Sequence, residues 1–195
     1  MILSCVEPAT ILPFDIETLR LHCRLDADDD RDDEVLNLYA WAAIRQAEFT
    51  ANRVFLSSEW EGKIADFHRE KEIVIPKSPC TVVKSIIFQD VAGTEQALPN
   101  SEYVFTPSSM HWDGGNPYGS VKPITAWPEG VGAIITFVAG WDSDKVPHEL
   151  VEWTLVTVAG HYEKRESLAS ATRKVAIPLD RMFWNGLLDA WYLPR

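Results

Sequence analysis

Strand-like alternation through the middle of the chain is the feature that most restricts its fold. From about position 55, apolar and polar residues alternate with a period of two, beginning with Trp60, Gly62 and Ile64. This spacing places alternate side chains on opposite faces of a β-strand. Clusters of Gly, Pro, Asn and Asp separate such segments and predict turns. The further predicted strands are 72–76, 82–90, 101–106 and 132–140.

Helical patterns flank this region on both sides. Residues 14–25 place Ile16, Leu19 and Cys23 on one face at helical spacing. Pro147 suits the first position of a helix, and acidic residues follow it in the first turn. The later predicted helices are 33–52, 147–165 and about 179–191.

The order of these segments predicts an α+β fold. We expect a helical bundle of about four helices, with a β-rich insertion between the second and third helices that forms a small sandwich or barrel. The predicted domains are an N-terminal helical part at 1–54, the β-rich insertion at 55–140 and a C-terminal helical part at 141–195.

The second predicted helix carries one marked stripe. Leu38, Ala42, Arg45 and Phe49 recur at helical spacing, and the Ala-rich middle of the helix allows a close approach of neighbouring helices. Apolar residues cover most of the circumference of the 147–165 helix, so we expect that helix to be buried on more than one side.

The chain is acidic, with 18 basic and 29 acidic residues and a formal net charge of -11. A surface of this sign repels a phosphate backbone, which argues against sequence-specific DNA binding.

The odd number of cysteines and the absence of a C-x-x-C pair predict neither a disulfide framework nor a zinc ribbon. We expect Cys5, Cys23 and Cys80 to be buried thiols in a reducing cytoplasm.

Neither export nor membrane insertion is predicted. The first ten residues have no basic region before an apolar one, so they do not resemble a signal peptide. The longest apolar run, 133–141, is much shorter than the ~20 residues that cross a bilayer. We expect a soluble, intracellular protein.

The acidic run at 26–34 begins like a calcium-binding loop, with Asp26, Asp28 and Asp30 in alternate positions. An EF-hand needs Gly at its sixth position and Glu at its twelfth, where this chain has Arg31 and Asn37. We therefore predict no tight calcium site. The preferred interpretation is that these carboxylates cap the N-terminus of the next helix and complement its dipole.

Two clusters of polar residues fail as catalytic sites. The stretch 148–152 begins like the H-E-x-x-H zinc motif, but Glu152 replaces the second His, and His161 lies thirteen residues from His148, or ~20 Å along a helix. Residues 161–165 are consecutive on a helix and point apart by ~100° each, so at most two of the five can face one point. We predict no enzyme activity, no cofactor and no metal.

Several motifs in a fixed order carry a family resemblance. They are ETLRLHCRLDADDDRDDEVL and AAIRQAEFTANRVFLSSEW in the first part, then AWPEGVGAIITFVAGWDSDKVPHELVEWTLVTVAGHYEKRE, and IPLDRMFWNGLLDAW at the end. Together they resemble the head–tail connector, or adaptor, proteins of tailed bacteriophages. Trp141 departs from the Tyr that is commoner there, and 91–120 follows no family pattern.

The resemblance implies a structural virion protein at the neck, made in the cytoplasm of a bacterial host. Such adaptors form a ring, usually twelvefold, under the portal protein and provide the platform for a stopper or tail-completion protein. Packaged DNA passes through the channel without sequence-specific binding. We expect a monomer in isolation and a ring on the portal, with no membrane partner.

Two sets of candidate site residues follow from this resemblance. The first is the apolar stripe of the last helix with the chain tip, which we expect to bind the portal. Part of the stripe is expected to pack on the 147–165 helix, whereas the tip at 191–195 is hard to bury because chain ends fray unless they are tied down. Its members are Phe183, Trp184, Leu187, Leu188, Trp191, Tyr192, Leu193, Pro194 and Arg195. The second set is charged and is expected at subunit contacts or the channel. Its members are Asp28, Asp29, Asp30, Glu163, Lys164 and Arg165.

Two alternatives stay open at this point. One is a small α+β binding module, since aromatic residues such as Trp60, Trp112 and Trp127 could form a platform for a sugar or peptide. The other is a hydrolase of unknown substrate that uses His148 or His161. Convergence of polar residues in a pocket would favour the second.

Overall fold

The structure is a computed structural model that describes residues 1–108, 116–164 and 186–193. Three α-helices are α1 (Ile16–His22), α2 (Asp33–Ala51) and α3 (His148–Lys164). A further helical turn occupies 186–189. Asp15 begins α1 because its carboxylate accepts the main-chain N–H of Thr18 at 2.8 Å, which satisfies one of the amides that have no partner within the helix.

Eight strands form two antiparallel sheets in the described residues. The strands are β1 (Ile2–Glu7), β2 (Ser58–Ile64), β3 (Ile73–Ile75), β4 (Cys80–Gln89), β5 (Glu95–Ala97), β6 (Tyr103–Thr106), β7 (Gly119–Pro123) and β8 (Gly132–Ala139). The first sheet has the order β1-β2-β8-β4-β5 and the second the order β3-β7-β6. The prediction of a mixed α+β fold is confirmed.

Strand β8 shows the predicted alternation most clearly. Ala133, Ile135, Phe137 and Ala139 are buried, and the residues between them are half-buried. The period of two places the four buried side chains on one face of the sheet. They join a single apolar cluster with buried residues of the second sheet, such as Val121. The two sheets therefore share one core, as in a sandwich.

Gly140 follows β8 at a place where no other residue fits. Its φ is +102°, and a Cβ built there would lie 2.5 Å from the carbonyl carbon of Leu56. The close approach allows Gly140 to donate its N–H to Pro79 O at 2.9 Å and Trp141 to donate to Phe55 O at 3.1 Å. The Ala-Gly-aromatic ending of this strand is therefore a packing requirement.

Strand β1 was not predicted. It lies at the edge of the first sheet, pairs with β2 and is exposed over most of its length, so its residues show no buried-face alternation. It precedes α1, whereas the other strands lie between α2 and α3.

The chain divides into two compact units. One contains Met1–Thr10 and Val54–Asp142, and the other contains Ile11–Arg53 and Ser143–Arg195. All the strands belong to the first unit, and the three helices belong to the second. The functional domains suggested by the sequence stay a prediction.

Helix α2 buries a different face from the stripe seen in the sequence. Its buried residues are Leu36, Ala40, Ala43, Ile44, Ala47 and Ala51. Leu38 and Phe49 are 65% and 71% exposed. The small alanines allow α2 to pack closely within the helical unit, and the larger side chains of the stripe then point outward.

The cysteine prediction is wrong for one of the three residues. Cys80 is buried and Cys23 is half-buried, but Cys5 on β1 is exposed. Burial raises the pKa of the Cys80 thiol to about 12, which makes that thiol unreactive.

Candidate docking surfaces

The C-terminal end of α2 turns in a way that prepares a binding site for the end of the chain. Asn52 adopts a left-handed conformation with φ of 54°, and Arg53 donates its N–H to Glu48 O at 3.1 Å. This closure is the Schellman pattern, in which Asn can replace the usual Gly. It turns the chain out of the helix direction directly after Ala51 and Asn52.

Residues 186–193 pack against this helix end. Leu193 donates its N–H to Ala51 O at 2.9 Å, which gives one of the last helix carbonyls a partner. Asn52 Nδ2 lies 3.5 Å from Leu193 O. Arg53 Nε donates to Trp191 O at 2.7 Å, and the Arg53 guanidinium lies 6.0 Å from the centroid of the Trp191 ring. We call this set of contacts the tail clasp.

Three of the five predicted portal-binding residues that the structure describes are buried. Leu188, Trp191 and Leu193 are only 4–6% exposed. The expectation that the chain tip resists internal burial is therefore wrong for Trp191 and Leu193, because the Arg53 guanidinium and Ala51 O bind their main chains. Tyr192 stays 55% exposed and Leu187 is half-buried. Phe183, Trp184, Pro194 and Arg195 lie outside the described residues.

Two arginines organise the acidic run before α2. Arg20 donates from Nε to Asp33 Oδ1 at 2.8 Å and from Nη1 to Ala27 O at 2.5 Å, so it connects α1 to both ends of the run. Arg31 binds Asp29 with two hydrogen bonds of 2.8 and 2.6 Å. Bidentate pairs of this type fix the position of both side chains.

These pairs change the acidity of the two carboxyl groups. The hydrogen bonds from Arg31 lower the pKa of Asp29 from 3.8 to about 2. The hydrogen bond from Arg20 lowers the pKa of Asp33. Both groups carry negative charge, and each is paired with an arginine, Asp29 with Arg31 and Asp33 with Arg20. Asp28 and Asp30 are exposed.

The capping interpretation of the acidic run needs correction. Asp32 occupies the N-cap position of α2 but makes no side-chain cap hydrogen bond. Its carboxylate instead accepts a 2.6 Å hydrogen bond from the hydroxyl of Tyr162 on α3. Asp33 and Glu34 lie in the first turn, where they complement the helix dipole as expected.

The polar residues that the structure describes at the end of α3 have different surroundings and do not form one cluster. Tyr162 faces Asp32, and His161 places its ring 5.8 Å from the ring of Tyr39. Glu163 is exposed. The side chain of Lys164 and the whole of Arg165 lie outside the described residues.

His148 and His161 lie near opposite ends of α3 and are both exposed. Within the part of the chain that the structure describes, no group of three or more His, Cys, Asp or Glu side chains is placed to hold a metal ion. In the same residues, no helix is long and apolar enough to span a bilayer.

Sequence reasoning missed the roles of Arg53 in the tail clasp and of Arg20 in the acidic run. Arg53 and Trp191 are 138 positions apart, and no local pattern connects them. Arg20 had a weak signal, since a single basic residue precedes a long acidic run, but its partner among the many carboxylates was not predictable.

No family profile matches the sequence, and no curated protein matches it. Solved structures do share its fold. A chain in the neck of an empty gene transfer agent (GTA) particle, computed with C6 symmetry, has a TM-score of 0.73 and 21% identity, and the match covers 100% of this chain and 97% of the other. A chain in the virion of a native GTA particle has a TM-score of 0.73 and 20% identity, with the same coverage. A third, in the neck of a native GTA particle computed with C12 symmetry, has a TM-score of 0.67 and 20% identity.

Proposed function

We propose that this chain is a structural virion protein of a phage-like particle, located in the neck. There it forms a ring under the portal protein and joins the DNA-filled head to a stopper or tail-completion protein. The observation that carries this proposal is the likeness of fold to neck and virion chains over 100% of the sequence. The order of adaptor-like motifs along the chain supports it independently.

The charge of the chain fits a passage for DNA. With a net charge of -11, the protein repels a phosphate backbone, so DNA slides past it without being held. The exposed carboxylates of Asp28, Asp30 and Glu163 suit the channel or the contacts between subunits. Asp29 contributes less, because Arg31 neutralises it.

The C-terminal segment is the proposed portal-binding element. The tail clasp fixes 186–193 on the end of α2, which leaves Tyr192 and part of Leu187 accessible to a partner. We propose that these two side chains make the first contact with the portal. In this arrangement the helical unit is the adaptor domain, and Val54–Asp142 of the β-rich unit are its insertion.

An in vitro assembly reaction tests the function. The purified chain is added to DNA-filled heads that contain portal but lack this protein. We expect it to bind at the portal vertex, appear as a ring by electron cryomicroscopy and make the heads competent to accept tails. Heads without portal are the control and bind none. Heads that mature fully without the chain, or a chain found only away from the neck, would overturn the proposal.

A further inference from the structure

One exposed face of helix α2 carries acidic, apolar and basic residues in a fixed order along the helix. Glu34, Leu38, Ala42, Arg45 and Phe49 are all exposed and follow one another by three or four residues. They therefore form one stripe, about 22 Å long at 1.5 Å per residue. An acidic residue begins the stripe, two apolar residues occupy its middle, and Arg45 and Phe49 end it.

The opposite face of α2 already accounts for its packing within the helical unit. That face is lined by alanines with Leu36 and Ile44, all buried. Leu38, at 65% exposed, therefore contributes little to the subunit's own core. Large apolar side chains that recur along one exposed face mark an interaction surface more often than isolated ones do.

A second exposed patch, on α1, has the same order of charge along the chain. Glu17 and Leu21 lie one turn apart on the same face, and Arg24 follows just after the helix ends. All three are exposed, and Leu21 is 79% exposed. Along the chain the order is acidic, apolar, basic, as it is along α2 from Glu34 through Leu38 to Arg45.

Two such stripes complement each other when they pack antiparallel. Glu17 then faces Arg45, Leu21 packs on Leu38 and Ala42, and Arg24 faces Glu34. In the structure Arg45 Nη1 donates to Glu48 at 2.9 Å. A guanidinium has five N–H donors, so this bond is compatible with a second carboxylate.

We propose that the α2 stripe of one copy binds the α1 patch of a second copy, head to tail. The two surfaces are different, so each copy can accept one neighbour and donate to another, and the contact repeats until a ring closes. This interface deepens the proposed neck function and rests on it for the ring. A contact with so few apolar side chains is weak alone and becomes firm when it is repeated around a closed ring.

Site-directed disulfide formation tests the contact on the purified chain. The variant Leu21→Cys with Leu38→Cys is made in a background of Cys5→Ser and Cys23→Ser and oxidised at high protein concentration. We expect a ladder of reducible multimers on denaturing gels. A one-to-one mixture of the two single variants should stop at dimers. The matched control pairs Leu21→Cys with Val91→Cys, which is 76% exposed and lies in the other unit. It should give no ladder.

Charge reversal then tests the predicted register. Arg45→Glu should slow formation of the ladder about tenfold, which corresponds to about 1.4 kcal/mol. Adding Glu17→Arg should restore it, because the ion pair is rebuilt with opposite signs. Glu48→Gln controls for loss of the bond within α2 and should leave the ladder intact.

Several results would overturn the interface. They are a ladder equally strong in the Val91 control, a dominant dimer from Leu38→Cys alone, or no rescue by Glu17→Arg. Because this experiment contains no heads or portal, its failure is distinct from failure of the neck assignment. A ladder together with heads that mature without the chain would reject the neck role and retain the self-contact.

Discussion

The guanidinium of Arg53 donates a 2.7 Å hydrogen bond to the main-chain oxygen of Trp191 and lies 6.0 Å from the centroid of its indole ring. Arg53 is only 6% exposed. One side chain therefore connects the end of α2 to the C-terminal segment, 138 positions later in the sequence. The arrangement determines which part of that segment a partner can reach.

Loss of this guanidinium should release the tail. We expect Arg53→Ala to cost about 1.5–3 kcal/mol, the usual range for a hydrogen bond to a charged group, since the Trp191 carbonyl and ring lose their partner. Hydrogen exchange followed by mass spectrometry should show faster exchange in 186–193. Arg45→Ala, which removes an exposed arginine from α2 itself, is the control and should leave this exchange unchanged. Equal protection in both variants would mean that the clasp does not hold the tail.

Two neighbouring aromatic residues should have opposite roles. Trp191 is 6% exposed, so Trp191→Ala should destabilise the chain by about 3–5 kcal/mol through the cavity it leaves. Tyr192 is 55% exposed, so Tyr192→Ala should change stability by less than about 0.5 kcal/mol but weaken binding to portal-containing heads by about 2 kcal/mol. Thermal unfolding and a head-binding assay separate the two. Unchanged head binding by Tyr192→Ala would remove this residue from the portal contact.

The paired carboxylates should make stability depend on pH at the acid end. The pKa values of Asp29 and Asp33 are lowered from 3.8 in the folded chain, Asp29 to about 2. A lowered pKa contributes stability that is fully present above the unfolded value and is lost as pH falls through the folded one. The thermal unfolding temperature should therefore decrease as the pH is lowered from about 4 to about 2. The decrease should be less steep in Asp33→Asn. An equally steep fall in Asp33→Asn would contradict the contribution of the pair with Arg20.

Gly140 should not tolerate a side chain. Its φ is +102°, and a Cβ built there would lie 2.5 Å from Leu56. Backbone strain of this kind costs about 1–3 kcal/mol, and the steric clash adds to it, so Gly140→Ala should lower the free energy of unfolding by more than that amount. Gly160 in α3 is the matched control, because a Cβ there meets nothing within 4 Å. Gly160→Ala should stabilise the chain by about 0.5–1 kcal/mol. Denaturant unfolding of the two variants measures both effects, and similar shifts would contradict the steric argument.

The acidic run should not bind calcium tightly. Arg31 and Arg20 already occupy the carboxylates of Asp29 and Asp33, so a cation would have to displace them. Calorimetry should detect no micromolar affinity for calcium. A tight signal that disappears on combining Asp28→Ala with Asp30→Ala would show that the loop is a metal site after all.

Local patterns in the sequence were sufficient to predict the type of most elements. The alternation at 133–139 predicted β8 because a strand that buries one face must alternate. The periodicity at 33–52 predicted α2 nearly to the residue. These properties depend on neighbours within one or two turns of chain, so the sequence contains them directly.

Only the tertiary structure decided which face of α2 is buried and where the tail lies. Leu36 and Leu38 belong to stripes with the same helical period, so periodicity alone cannot choose between them. The choice follows from the close packing that Ala40, Ala43 and Ala47 permit. In the same way, Trp191 meets Arg53 because the left-handed turn at Asn52 directs the chain there. Contacts between residues so far apart depend on the geometry of the whole unit, which local preferences do not encode.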